Sequence, residues 1–403
     1  MAKRPAGPAK ASLSTALIHD PYQPPPGFAA PQPGVHKAST VIFRNTAAMR
    51  ARNWKEKAGY TYGLHGTPTT FTLEERIATL EGGTHTVLLP SGLAAIALVD
   101  AALLKTGDEV LLPDNAYGPS KELARHELRD WGIAHRFYDA MDPRSLADAI
   151  GPATRLVWLE APGSVTMEFP DLPALVRIAQ SRGVTTALDN TWGAGIAFSA
   201  FDLTPAAGPL AVDISMHALT KYPSGGGDVL MGAVTTRDEA LHVRLKLTHM
   251  HMGWGVGAND AEFVLRSLPT LPIRYDAQDR AARTLAEWWS QRPEVTQVLH
   301  PATPGSPGHK HWRTLCTSAA GLFSIVFDER FSPAQVDAFV DALKLFKIGY
   351  SWAGPVSLVV PYDVATMRAT PAWRAPLVRF SVGLEAVSDL IADCEQALGA
   401  LTR

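Results

Sequence analysis

Lys221 lies between an apolar run and a run of glycines, and this setting is the strongest chemical signal in the sequence. The segment reads Asp213-Ile-Ser-Met-His-Ala-Leu-Thr220-Lys221-Tyr222, and Ser224-Gly-Gly-Gly-Asp228 follows it. Earlier in the chain, the apolar run of Ala187-Leu-Asp189-Asn-Thr-Trp192 ends at Asp189. We predict a strand that ends at Asp189 and another that ends at Thr220-Lys221. Open α/β sheets bind ligands at the C-terminal ends of their strands.

A lysine amine and a carboxylate at one sheet edge are the pair that pyridoxal phosphate (PLP) requires. The amine bonds to the aldehyde carbon of the cofactor, and the carboxylate keeps the pyridine nitrogen protonated so that the ring can accept electrons. We predict these roles for Lys221 and Asp189, with the hydroxyl of Thr220 at the phosphate. Taken singly, Lys221 could be a surface lysine and Asp189 a turn or helix cap.

Two loops at the same predicted edge could complete a cofactor site. Pro90-Ser91-Gly92-Leu93 lies between a predicted strand and a helix of small residues. The backbone N–H groups at such a helix start bind anions, and Gly92 would allow close approach. Without a lysine and an aspartate elsewhere, this segment would be an ordinary turn with a serine cap. Tyr117 follows the next strand and could stack on a pyridine ring or transfer protons, although it could also pack only on its own loop.

Arg379 stands inside the apolar run Leu377-Val-Arg-Phe-Ser-Val382. A charge in a buried strand requires a partner, and a guanidinium group matches the two oxygens of a carboxylate. We interpret Arg379 as a ligand for the carboxylate of an amino-acid substrate. The alternative is a structural ion pair with a carboxylate of the protein.

Composition excludes several classes of protein. The chain has 403 residues, with 46% hydrophobic and 19% charged residues and a net charge of −2, so there is no electrostatic basis for binding nucleic acid or an anionic membrane. No apolar stretch reaches membrane-spanning length, and we expect no signal peptide. Two distant cysteines predict a reduced, cytoplasmic protein. His249 with His251, and His309 with His311, lie on predicted loops without metal-ligand spacing, so we predict no metal site.

Apolar runs alternate with helical patterns from about residue 66, which predicts a mostly parallel sheet with helices on both faces. We expect an extended N-terminal arm over 1–65 that contacts a neighbouring subunit, a cofactor-binding α/β domain over 66–259, and an α+β domain over 260–403. A capping box is predicted at Thr72 and Glu75, before a helix that ends near Leu80.

Together these motifs resemble the Cys/Met-metabolism family of PLP enzymes, which have fold type I. The resemblance covers the chain from about Tyr60 to its end. The segments that carry it are Tyr62-Gly-Leu-His-Gly66, Pro90-Ser-Gly-Leu-Ala-Ala, Asp114-Asn-Ala-Tyr117, Asp189-Asn-Thr-Trp192, Thr220-Lys221-Tyr222 and Arg379-Phe-Ser-Val-Gly383. It implies a large α/β domain with a mostly parallel seven-stranded sheet, a smaller α+β domain, and a homotetramer built as a dimer of dimers.

The family resemblance also implies roles for individual residues. Gly92 and Leu93 would supply backbone donors to the phosphate, and Tyr117 would stack on the ring. Ser351 and Trp352 would lie at the substrate, with Arg379 on its carboxylate. Tyr62 would reach the phosphate and substrate in the neighbouring subunit's site.

Within the family, two features resemble the β-lyase branch. These are Ala218, where γ-lyases usually have serine, and the segment Tyr350-Ser-Trp-Ala-Gly354. They imply elimination from L-cystathionine to homocysteine, pyruvate and ammonia, a step of methionine biosynthesis. γ-Elimination or γ-replacement within the family, and a non-catalytic binding protein with this fold, remain alternatives.

One position departs from the family pattern. The family usually has Tyr-x-Arg in the first motif, with the arginine also on the neighbour's phosphate, whereas this chain has Leu64 there. Leucine cannot donate that charge-assisted hydrogen bond, which is worth roughly 1.5–3 kcal/mol. We expect weaker cofactor retention than in relatives that carry the arginine, unless His65 or another cation compensates.

Overall fold

A computed structural model describes residues 12–19, 25–54, 57, 59–204, 208–368 and 373–401. Within these ranges the chain forms two sheets with helices packed around them. The strands are β1 (His85–Leu89), β2 (Glu109–Pro113), β3 (Ala134–Tyr138), β4 (Thr154–Glu160), β5 (Thr185–Asp189), β6 (Ile214–His217), β7 (Gly232–Thr236), β8 (Val295–Leu299), β9 (Leu322–Phe327), β10 (Lys347–Ile348), β11 (Leu358–Tyr362) and β12 (Leu377–Ser381).

Helices precede, separate and follow these strands. They are α1 (Leu13–Ile18), α2 (Thr46–Arg50), α3 (Pro68–Glu81), α4 (Gly92–Leu103), α5 (Gly118–Leu123), α6 (Pro143–Ala149), α7 (Leu172–Ser181), α8 (Glu239–Met252), α9 (Ala258–Ser267), α10 (Leu271–Ser290), α11 (His309–Leu315), α12 (Pro333–Ala342) and α13 (Val387–Leu398). Among the described residues, no helix is both long enough and apolar enough to cross a bilayer.

The larger sheet has seven strands in the order β1-β7-β6-β5-β4-β2-β3. β7 runs antiparallel to both of its neighbours, and the other pairings are parallel. Its strands are buried on both faces: Leu111 and Leu188 belong to one core cluster, and Val110 and Ala187 to another. This double burial explains the continuous apolar runs in the sequence, and it confirms the predicted α/β fold with its mostly parallel seven-stranded sheet.

The smaller sheet has five strands in the order β10-β11-β12-β9-β8. It packs on α10, α12 and α13 through a separate core that contains Trp289, Phe323 and Phe380. Arg379 lies within β12, the central strand of this sheet, as the sequence predicts. The sheet thus holds this arginine on a rigid element.

Several local predictions were wrong. β6 ends at His217, so Lys221 lies in the following turn rather than at a strand end. α3 begins at Pro68, with its capping box at Thr67 and Thr70 rather than at Thr72 and Glu75, because Thr67 has the extended backbone that a cap requires. His249 and His251 lie in α8, and His309 and His311 lie in α11, rather than on loops.

The N-terminal 65 residues contain two short helices as well as extended chain. Leu17 of α1 is fully buried, and α1 packs against α3 of the same chain. Part of the segment therefore belongs to the core. Residues 1–11 and 20–24, which include much of the proline-rich stretch of the predicted arm, lie outside the described residues.

Candidate active site

Lys221, in the turn after β6, is contacted by residues of the segment between β10 and β11. Its Nζ donates a hydrogen bond to Oγ of Ser351 at 2.7 Å and lies 5.4 Å from the centre of the Trp352 ring. Burial and the nearby charge of Arg379 together lower the pKa of Lys221 to about 8, whereas Asp189 opposes the shift. Near neutral pH the amine is therefore close to the point at which it can lose its proton.

Asp189 is the last residue of β5, where its carboxylate accepts a hydrogen bond from the backbone N–H of Thr191 at 3.0 Å. Burial raises its pKa, and no lysine or arginine among the described residues forms an ion pair with it. A protonated ring nitrogen is the kind of partner that would keep such a carboxylate ionised.

Glu160 is the register partner of Asp189 on the adjacent strand β4. Burial raises the pKa of Glu160 well above its usual value, and the charge of Asp189 adds to the shift. Its Oε2 accepts a hydrogen bond from the backbone N–H of Tyr117 at 2.8 Å. The end of β4 therefore anchors the loop that carries Tyr117, whose side chain is 42% exposed.

The start of α4 forms an anion-binding end of the site. Ser91 caps the helix through Ala94, and a helix start leaves the N–H groups of Gly92 and Leu93 without helical acceptors. A Cβ on Gly92 would lie only 2.7 Å from Cβ of Ala218, so the close packing of these two segments requires glycine. The Thr220 hydroxyl, in contrast, bonds to the backbone N–H of Met231 at 3.1 Å and to its carbonyl at 3.2 Å.

Arg379 supplies a buried cation beside Lys221. Its side chain has no carboxylate within ion-pair distance among the described residues, and its Nη2 lies 3.4 Å from the carbonyl oxygen of Ser351. The guanidinium lies 5.2 Å from the centre of the Tyr362 ring, and burial lowers its pKa. The described part of the chain therefore shows no internal ion pair at Arg379, and its guanidinium is chemically suited to bind a carboxylate.

Ser351 joins the amine to the guanidinium through its hydroxyl and its carbonyl group. Its φ angle of 128° is one that residues other than glycine rarely adopt, and Ala353 has φ 68°. Such backbone strain is found most often where function fixes a conformation. The segment after β10 is thus held in an unusual shape that presents Ser351 and Trp352 to Lys221.

Tyr62 is not brought to this site within one chain. No hydrogen bond or ring contact in the described part joins it to Lys221, Tyr117 or Arg379, and its side chain is 46% exposed, edge-on to His65. Leu64 lies on the same turn, lines a small cavity with Lys246 and faces Gly255. The ring of His65 bonds to the Thr61 hydroxyl at 2.7 Å.

The chemistry of these donors fits PLP. The amine of Lys221, the desolvated carboxylate of Asp189 and the N–H groups of Gly92 and Leu93 match the aldehyde, ring nitrogen and phosphate of the cofactor. The ring of Tyr117 is exposed on the loop beside Glu160, where it could stack on the pyridine ring of the cofactor.

Neither Glu160 nor Tyr362 was identified as a candidate from the sequence. Glu160 could have been found by the rule that identified Asp189, because both are carboxylates at the end of an apolar strand. Tyr362 ends a strand with an internal proline, and nothing in its local sequence distinguishes it from a packing residue.

Comparison with known proteins agrees with this geometry. Residues 14–399 match the family model for Cys/Met metabolism PLP-dependent enzymes. The chain belongs to this family. Its cofactor is therefore pyridoxal 5'-phosphate.

Individual relatives cover nearly the whole chain. A cystathionine beta-lyase of Bordetella avium is 40% identical over 96% of this chain and 97% of its own. The cystathionine beta-lyase of Escherichia coli is 34% identical over 90% and 91%. The crystal structure of metB from Corynebacterium glutamicum superposes with a TM-score of 0.87 at 29% identity, over 97% of this chain and 98% of the other.

Proposed function

We propose that this protein is a PLP-dependent cystathionine β-lyase, a carbon–sulfur lyase that converts L-cystathionine and water to homocysteine, pyruvate and ammonia. The observation that carries the proposal is the placement of Lys221 against Ser351, 2.7 Å away, beside a buried Arg379 that has no carboxylate partner among the described residues. An amino-acid substrate supplies the missing carboxylate.

When bound, PLP supplies an electron sink for the charge that develops at the α-carbon. Lys221, Asp189, Gly92, Leu93 and Tyr117 would hold it, with Tyr62 of a neighbouring subunit at its phosphate. The sequence also predicts the Thr220 hydroxyl at the phosphate. That hydroxyl bonds to the backbone of Met231, so it would have to give up one of these bonds to reach the phosphate.

Arg379 binds the substrate carboxylate in bidentate fashion and thereby fixes the α-carbon relative to Lys221. The amine of Lys221, with its pKa near 8, removes the α-proton. Its hydrogen bond to Ser351 orients that amine. Trp352, beside the amine, excludes water from this end of the site. Tyr117 is the other group that could move a proton.

The decisive assay incubates the purified protein with L-cystathionine and added PLP, and quantifies pyruvate and 2-oxobutanoate. Pyruvate in equal amount to homocysteine supports β-elimination. 2-Oxobutanoate with cysteine would instead assign the protein to γ-elimination, the first alternative. Neither product from protein that carries bound cofactor would contradict the proposed substrate.

A non-catalytic binding protein is the second alternative, and it was suggested by Leu64 at the usual position of the phosphate arginine. An absorbance scan of the purified protein separates the two classes, because a catalytic member carries the cofactor on Lys221 and absorbs visible light. Protein that is colourless after incubation with PLP would favour the binding protein.

We further propose a cytoplasmic homotetramer in which Tyr62 completes the neighbouring site. His65 and Lys246 line the same cavity as Leu64, and burial lowers the pKa of both. We therefore expect incomplete compensation for the missing arginine and rapid loss of yellow colour on dialysis. Retention at nanomolar concentrations would contradict this expectation.

A further inference from the structure

The segment after β11 contacts Glu168 and the loop that carries Tyr117 through the buried side chain of Arg368. The side chain of Arg368 is 7% exposed, and its Nη2 donates to Oε2 of Glu168 and to Oγ1 of Thr166, each at 2.6 Å. Its Nη1 lies 3.3 Å from the second oxygen of Glu168 and 3.9 Å from Asp114. This geometry is rigid, because a guanidinium fork meets both carboxylate oxygens.

The same carboxylate reaches the Tyr117 loop directly. Nδ2 of Asn115 donates to Oε2 of Glu168 at 3.0 Å, and Asn115 is buried. Gly163 allows this contact, since a Cβ there would lie 2.2 Å from Nδ2 of Asn115. Asn115 is two residues before Tyr117, so Arg368 and Glu168 fix the base of the loop that carries Tyr117.

A second buried cation ties the same two segments together. Nζ of Lys121 donates to the carbonyl of Asp114 at 2.8 Å and to that of Met367 at 2.6 Å. The connection therefore does not depend on one side chain. Of its two cations, Arg368 can be changed without disturbing α5, which contains Lys121.

The other end of this segment reaches the carboxylate site. Tyr362, the last residue of β11, packs its ring against the guanidinium of Arg379, and a short turn at Val364–Thr366 leads from it to Arg368. One short stretch of chain thus touches the substrate-carboxylate ligand at one end and the Tyr117 loop at the other.

We propose that Arg368 is a positioning residue that holds Tyr117 over the cofactor ring. The proposal rests on the proposed function, since it assumes that Tyr117 stacks on PLP. Arg368 touches neither cofactor nor substrate in this scheme and acts through Glu168 and Asn115. A substitution at Arg368 should therefore weaken cofactor binding and turnover only while Tyr117 is present.

A double-mutant cycle tests this coupling. The holoenzyme, R368M, Y117A and the double variant are each stripped of PLP and titrated with it by absorbance, and their kcat/KM on L-cystathionine is measured. We expect R368M to raise the cofactor Kd about tenfold in the wild-type background and less than about twofold in the Y117A background. If the fold-changes of the two single variants multiply in the double variant, Arg368 and Tyr117 act independently, and the proposal is overturned.

The chain offers a matched control at the opposite edge of the same sheet. Arg136 holds Glu109 in a bidentate pair at 2.6 and 2.9 Å, and Thr154 also donates to that carboxylate, as Thr166 does to Glu168. R136M should leave the cofactor Kd within about twofold of wild type. A change as large as that of R368M would assign the effect to general stability and refute a positioning role.

Two further variants keep the test decisive if R368M does not fold. R368K retains the charge without the fork, and E168Q retains a hydrogen bond without the ion pair; both enter the same cycle under the same criterion. Failure of the proposed function would look different, because wild-type protein would then bind PLP but release no pyruvate from L-cystathionine, while the cofactor Kd values would still test the coupling. A Y117A variant with the wild-type cofactor Kd would overturn the proposal, because Arg368 would then have no stacking ring to position.

Discussion

The large sheet carries ionisable side chains at its N-terminal edge, where its strands begin, and at its C-terminal edge, where they end. The pKa values of these side chains shift in opposite senses at the two edges. At the N-terminal edge, Glu109 accepts hydrogen bonds from Arg136 and Thr154, and the bond from Arg136 lowers the pKa of Glu109. At the C-terminal edge, burial raises the pKa values of Asp189 and Glu160 and lowers that of Lys221. One edge favours the charged forms, and the other favours the neutral forms.

This difference separates stability from function. A buried charge without a partner costs stability, because it loses hydration and gains nothing in return. Such a cost is commonly found at functional sites, where a ligand supplies the missing partner. Neither Asp189 nor Arg379 forms an ion pair in the described part of the chain, and the ring nitrogen and a substrate carboxylate would supply those two partners.

The largest expected effect comes from removing the amine of the C-terminal edge. K221A should abolish the visible absorbance of bound cofactor and lower kcat by roughly 10⁴-fold or more, because the variant loses both the cofactor bond and the base. Steady-state pyruvate release and an absorbance spectrum measure both quantities. Normal turnover in K221A would contradict a functional role for the C-terminal edge, since Lys221 would then be an ordinary buried residue.

The next largest effect should come from replacing the guanidinium group of Arg379. R379K keeps a cation in the site but loses the second hydrogen bond to a carboxylate, so we expect kcat/KM to fall by about 10- to 150-fold, the equivalent of roughly 1.5–3 kcal/mol. The loss should be mainly in KM. R136K, which makes the same change at the other edge, should leave KM unchanged, and an equal loss there would argue against a substrate role for Arg379.

The sequence was sufficient for the parts of the site that follow local rules. Asp189 and Arg379 could be located because strands buried on both faces read as continuous apolar runs, in which a single charged residue is conspicuous. Gly92 could be located because a helix of small residues follows it. For the same reason the α/β architecture was predictable, whereas the antiparallel direction of β7 was not, because burial alone does not encode strand direction.

Contacts between distant segments could not be predicted. Lys221 meets Ser351, and Arg368 meets Glu168, only after two sheets have packed together, and no local periodicity encodes that packing. The end of β6 was misplaced for a related reason. Ala218-Leu219 continues the apolar run, but the chain turns there so that Ala218 packs on Gly92 and its N–H bonds to Thr191.

In the cofactor-free protein, the charged groups at the two edges should also contribute to the free energy of unfolding with opposite signs. A pKa of about 8 for Lys221, against an ordinary value of 10.5, means that its charge costs the folded state up to about 3 kcal/mol below pH 8. K221M should therefore raise the unfolding free energy of the cofactor-free protein at pH 7. The gain should disappear as the pH rises from 8 to 10.5, because the lysine then loses its proton in the unfolded state as well. Urea denaturation at several pH values measures it, and destabilisation by K221M at pH 7 would contradict the predicted cost.

The smallest effect should come from the N-terminal edge, where Arg136 pairs with Glu109. R136M should lower the free energy of unfolding, whereas K221M should raise it. R136M leaves Glu109 with Thr154 as its remaining side-chain partner, and we expect a loss of about 1–2 kcal/mol at pH 7, reduced by the exposure of the arginine. Because Arg136 lowers the folded pKa of Glu109, its contribution is complete above the unfolded pKa of 4.5 and is lost as the pH falls through the lower folded value. The difference between R136M and wild type should therefore shrink on acidification, as urea denaturation between pH 7 and pH 3 would measure. A loss that is independent of pH would mean that the packing of the arginine stem, rather than its charge, stabilises this edge, and the contrast between the two edges would then not be electrostatic.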